Sequence, residues 1–201
     1  MDDVVARVEN DAARVLAVAA RNDGDAGILE SARAMHAVTG PPRGRTPSAT
    51  ARQLNAQARA AWERQDMATA VRLQQRAFEL DPDDPEVTGN LAFFHVKVKP
   101  PQPALARRLA LRALAARGRG FPAGRMQDWG TFAVANALLG READATRAMY
   151  VMLATSNDPE RACRAARMAM AQYGAPMQAP ANAMLTRARA RGSVAKAPSC
   201  R

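Results

Sequence analysis

Few residues in this chain could do chemistry. It has two Cys and two His in 201 residues. His36 and His95 fall far apart on different predicted helices, which reads as two partly exposed helix residues and not as a ligand pair. There is no His-Glu-x-x-His, no Walker phosphate loop, no Gly-x-Ser-x-Gly and no Cys-x-x-Cys. Gly118-Arg-Gly120-Phe-Pro-Ala123 formally fits Gly-x-Gly-x-x-Ala. No strand is predicted before it and Pro122 lies inside it, so it reads as a turn and not as a dinucleotide site. Asp81, Asp83, Asp84 and Glu86 alternate with Pro82 and Pro85 but lack the spacing and central Gly of a calcium loop. They read as a solvated turn that caps the next helix. The expectation is a non-catalytic chain with no metal and no cofactor.

Cys163 sits in a predicted helix and Cys200 one residue from the end. Two readings stay open: two unrelated thiols, or a disulfide that ties the tail back onto a helix and implies an oxidising compartment. The N-terminus, Met-Asp-Asp-Val-Val, lacks the basic and apolar regions of a signal peptide. That points to the cytoplasm. A processed or truncated chain with a Cys163–Cys200 disulfide would instead be periplasmic or extracellular. No apolar run reaches the roughly 18 residues a membrane span needs.

Charge is unevenly spread. The total is +10, with 26 Arg and 3 Lys among the cations. Residues 1–86 hold 11 basic and 14 acidic residues, net −3, and residues 87–201 hold 18 and 5, net +13. Arg107, Arg108, Arg112, Arg117, Arg119 and Arg125 form a stretch without a carboxylate, and Arg187, Arg189, Arg191, Lys196 and Arg201 form a second group. These are a solvated Arg-rich face, or an electropositive surface for an acidic protein, lipid headgroups or nucleic acid. No aromatic residues are interleaved through the first stretch to stack bases. Trp62, Phe93 and Trp129 are the aromatic candidates for partner contacts, or core residues at helix crossings. The methionines of the C-terminal third read mostly as filler between Ala-lined helices.

The elements that position these residues are all helical. Ala supplies 47 of the residues, so the core is expected to consist of closely approached helices. A helical pair over 1–40 precedes a Pro- and Gly-rich linker at 41–47. Ser48 caps a helix running to about Arg64, and Asp66 caps one from Met67 to Leu80 with Ala70, Leu73, Ala77 and Leu80 on one stripe. Further helices follow to about Arg191, broken by Asp81–Pro85, Lys99–Pro103, Gly118–Gly124, Leu139–Arg141, Asp158-Pro159 and Gly174–Pro176. The last is placed at about Ala179–Arg191, and 192–201 reads as a flexible tail. Ten helices of about four turns, joined by short turns, predict antiparallel neighbours and an α-solenoid.

Residues 51–84, ARQLNAQARAAWERQDMATAVRLQQRAFELDPDD, resemble a tetratricopeptide repeat, whose period is about 34 residues. With Pro82 on the family's terminal Pro, Ala58, Ala70 and Ala77 fall on its small positions. Arg64-Gln-Asp66 falls on its turn. Weaker units begin near Pro85 and Arg125, and 159–191 would be a degenerate or capping pair. The resemblance implies an antiparallel helix-hairpin solenoid over 48–191 that binds a protein or peptide. It also implies that first-helix residues line a concave groove: Arg52, Asn55, Arg59, Trp62 and Glu63, then Asn90, Phe93 and Lys97, with Gln127 and Asp128 from the third unit. Gln127 and Asp128 stand where a grip on a terminal carboxylate needs cations. The expected partner is a peptide or acidic protein segment. The alternatives are nucleic acid bound through 104–125 and 187–201, or a regulatory part of a larger enzyme or secretion assembly.

Overall fold

The computed structural model describes residues 48–116, 126–156, 158–190 and Cys200. The expected N-terminal pair, the linker, Arg117, Arg119, Arg125, and the tail apart from Cys200 lie outside the described residues. Those described form eight helices and no strand. They are α1 (Ala49–Glu63), α2 (Met67–Leu80), α3 (Pro85–Lys97), α4 (Pro103–Ala116), α5 (Met126–Leu138), α6 (Glu142–Thr155), α7 (Pro159–Tyr173) and α8 (Ala175–Ala190).

Local chemistry sets the helix starts. Ser48 Oγ accepts from Ala51 N at 3.2 Å and opens α1. Asp66 Oδ1 accepts from Thr69 N at 3.0 Å and opens α2, and that bond holds the Asp66 carboxyl below its ordinary pKa. Asp84 Oδ1 accepts from Glu86 N and Val87 N, and Pro85 takes the first helical position of α3, where its missing N–H would be unpaired anyway. Asp158 and Pro159 repeat this device at α7. So the acidic Asp81–Glu86 cluster does act as a capping turn, but Asp81 and Asp84 are buried in it and not solvated as expected, because their carboxylates are tied in. Asp81 Oδ2 accepts from Ser48 N at 2.8 Å, and Asp84 Oδ2 meets Arg52 Nε at 3.3 Å.

The last helix departs from expectation. It begins at Ala175, directly after Gly174, about four residues early. Gly174 has φ +63, which glycine adopts without strain, so the chain reverses in one residue. Pro176 then falls in the first turn, where proline is tolerated. Pro180 lies inside the helix, and its missing N–H removes one backbone hydrogen bond.

Successive helices pair as α1–α2, α3–α4, α5–α6 and α7–α8. The odd-numbered helices also touch in series, α1 to α3, α3 to α5 and α5 to α7. Alanines set the first contacts: Ala58 and Ala61 of α1 meet Ala70 of α2 and Phe94 of α3. One larger core cluster runs from α3 to α8. At its centre is α5, whose residues from Asp128 to Ala137 are buried except half-buried Gly130, as expected of a helix that packs on α3, α4, α6, α7 and α8.

Cys163 of α7 is disulfide-bonded to Cys200, and both are fully buried. Arg189 Nε also donates to the Cys200 carbonyl at 2.9 Å. Cys200 is therefore held against α7 and α8.

Candidate functional site

A groove of about 830 Å³ is lined by one side of each odd-numbered helix, with α6 beneath. From α1 come Arg59, Trp62 and Glu63, and from α3 come Asn90, Phe93 and Lys97. Gln127, Gly130, Thr131 and Val134 come from α5, and Arg161, Ala165, Met168, Gln172 and Tyr173 from α7. These positions share a face because residues three and four apart in a helix stack on one side. Trp62, Phe93 and Lys97 thus converge from two helices, while Met149 and Met152 of α6 form part of the floor.

One end of the groove is aromatic. The Trp62 ring meets Phe93 edge-on with centroids 5.2 Å apart, and Trp62 is 37% exposed. Lys97 Nζ lies 5.2 Å from the Phe93 centroid and 5.5 Å from that of Tyr173, and it donates to Gln172 Oε1. The Tyr173 hydroxyl donates to the Val96 carbonyl at 3.2 Å. These contacts join α3 to α7 across the groove and make it a bowl closed on one side. Partial burial lowers the Lys97 pKa and pushes that of Tyr173 up to about 12.

Polar chemistry in the bowl is sparse. Arg59 is mostly exposed and sits 3.8 Å from Glu86, a loose ion pair that solvent screens. Thr131 is only 4% exposed, and its hydroxyl has no hydrogen-bond partner among the described residues. Asn90 reaches the bowl, but its amide donates to Asn55 Oδ1 at 2.8 Å and its oxygen accepts from Gln127 Nε2 at 3.4 Å. Gln74 Nε2 donates to the same Asn55 oxygen and to the Val87 carbonyl, each at 2.8 Å. This internal ladder staples α1, α2, α3 and α5.

Several residues expected on the groove are placed elsewhere. Trp129 is 1% exposed and packs edge-on against Phe132 with centroids 6.2 Å apart, so it is a core residue. It falls on the side of α5 that faces its neighbours, a choice periodicity cannot make for a helix that is apolar on most of its surface. Asn55 is buried in the ladder, Asp128 is fully buried, and Arg52 braces the Asp84 cap. None of these four lines the bowl. The α4 arginines are partly committed within the fold. Arg107 donates to Asn136 and stacks on Phe132, Arg112 pairs with Asp83 at 2.8 Å and stacks on Phe78, and Arg108 is exposed.

The α7 wall and the α6 floor are the parts that the repeat pattern did not point to. The fourth unit matches the tetratricopeptide spacing poorly, and the only signal was the run of methionines in the C-terminal third.

Among the described residues, no three His, Cys, Asp or Glu side chains are grouped to hold a metal ion, and no helix is long and apolar enough to cross a membrane. No protein-family model, curated protein or solved structure matches this chain.

Proposed function

We propose that this chain is a non-catalytic docking module, a helix-hairpin solenoid of the tetratricopeptide type that holds a peptide or acidic protein segment in its bowl. One observation carries this reading: α1, α3, α5 and α7 each turn a side toward one continuous groove. Trp62 and Phe93 supply exposed and half-buried apolar surface for an anchor, and Arg59, Lys97 and Arg161 supply donors to carboxylates and backbone carbonyls. The internal bonds of Arg107 and Arg112 draw two cations away from a phosphate-binding surface, which favours a protein partner over nucleic acid.

The Cys163–Cys200 disulfide supports an oxidising compartment, periplasmic or extracellular, over the cytoplasm.

Affinity capture with the intact chain as bait, read by mass spectrometry, tests this function. Trp62→Ala and Arg59→Glu baits should each lose most of the captured partner. Unchanged capture by both variants would sink the groove. Filter binding of DNA and RNA at two ionic strengths addresses the other reading, because phosphate contacts weaken steeply with salt.

A further inference from the structure

We propose that the cleft between α5 and α7 is an anchor pocket for one large apolar side chain of the docked segment, with acidic residues of that segment meeting Lys97 and Arg161 beside it. This rests on the docking function proposed above and names the chemistry of the segment.

The pocket exists because α7 stands off from α5. The α7 helix packs chiefly on α8, and it touches α5 and α6 only lightly. The side chains along the gap are small where the two helices face it: Gly130 on α5, Ala165 and Ala169 on α7. A methyl group added at Gly130 would come within 3.1 Å of Met152 Sδ, so the glycine lets that methionine lie close against α5. Met149 and Met152 form the floor, and Met168, 64% exposed, stands at the mouth. Unbranched thioether side chains adjust to the shape of an apolar guest. Thr131, more than nine-tenths buried and with no partner for its hydroxyl among the described residues, lines the same bowl. A buried hydroxyl left unpaired is unfavourable, and a main-chain carbonyl or amide of a bound segment would satisfy it.

Lys97 faces two aromatic rings and an amide oxygen but has no carboxylate partner among the described residues, although burial already disfavours its charge. Arg161 likewise makes no side-chain ion pair among the described residues. With Arg59, these cations outnumber the two carboxylates that line the bowl, Glu63 and Asp158, so the bowl complements an acidic segment. An apolar residue flanked by Asp or Glu satisfies both halves of the site.

The test is selection of a random dodecapeptide phage library on the immobilised full-length chain. Synthetic versions of the enriched peptides are then titrated by fluorescence anisotropy. The expected consensus is one Leu, Ile, Met or Phe with neighbouring Asp or Glu, and replacing either class by Ser weakens binding roughly tenfold or more. Ala169→Leu, which fills the cleft, and Lys97→Glu should each weaken it by about as much. Met168→Glu, on an exposed side chain, serves as a second cleft variant, and circular dichroism and thermal melts confirm that each variant is folded. Peptides lost with Trp62→Ala but bound normally by Ala169→Leu and Met168→Glu would overturn the cleft and leave the docking function standing. Enrichment of no peptide, or of basic or purely polar ones, would overturn the proposal. So would a small apolar molecule that displaces no peptide, or a homodimer broken by Ala169→Leu.

Discussion

Asn55 shows how one oxygen can hold three helices. It accepts from Gln74 on α2 and Asn90 on α3, each at 2.8 Å, inside a core built largely of alanines. Asn55→Ala leaves the Asn90 donor buried without that partner, while Gln74 keeps the Val87 carbonyl. The expected loss in urea unfolding is about 1–3 kcal/mol. Exposed Arg59→Ala should stay within about 0.5 kcal/mol of the parent. His95 makes a second prediction at this scale. Burial lowers its pKa below the ordinary 6.5, and the Gln102 side chain opposes this only in part. The unfolded chain therefore binds this proton at a higher pH than the folded one. The neutral form's full stability is present above about pH 6.5 and is lost as pH falls toward the lowered folded value. Thermal melts from about pH 7 to 5 should show the midpoint falling, and His95→Leu should flatten that part of the profile. At this scale the Asp caps and Ser48 were legible in the sequence, because a cap acts within three residues of itself. The Asn55 ladder was not, because its partners lie 19 and 35 residues away.

At the level of elements, α7 and α8 are held by more than packing. The disulfide closes a separation of 37 residues and fixes Cys200 against the start of α7. Removing it frees that loop in the unfolded chain and is expected to cost about 2–4 kcal/mol. Cys200→Ser should lower the melting temperature as much as reductant lowers it in the parent, and reductant should then have no further effect on the variant. A variant as stable as the parent would show the bridge to be energetically idle. Helix boundaries were readable to within a few residues, since Pro, Gly and Asp act locally at ends. The exception is α8. Gly174-Ala-Pro176 looks like a break in sequence, but proline disrupts a helix only beyond its first turn, and Gly174 completes the reversal alone.

Across the whole molecule, burial is unequal. The cluster from α3 to α8 contains the large buried side chains Trp129, Phe132, Leu111, Leu114 and four methionines, whereas the clusters on α1 and α2 consist largely of alanines. Alanine brings backbones close but removes little apolar area from water. Amide hydrogens of α1 and α2 are therefore expected to exchange well before those of α5 and α6 in native-state hydrogen exchange. Equal protection across all four helices would show the fold to be a single cooperative block.

The amino-acid sequence alone determined that the described chain is helical, where most helices start and stop, and that Ala70 and Ala77 share the inward stripe of α2. Those properties follow from helical period and end chemistry, which span a few residues. Tertiary structure alone decided that Trp129 turns inward while Trp62 stays on the bowl, and that Lys97 meets Tyr173 and also Gln172, 75 residues away. It also decided that α7 stands apart from α5. Which face a helix shows, and how far it sits from the next, depends on the volume of every side chain between them, and no local pattern carries that sum.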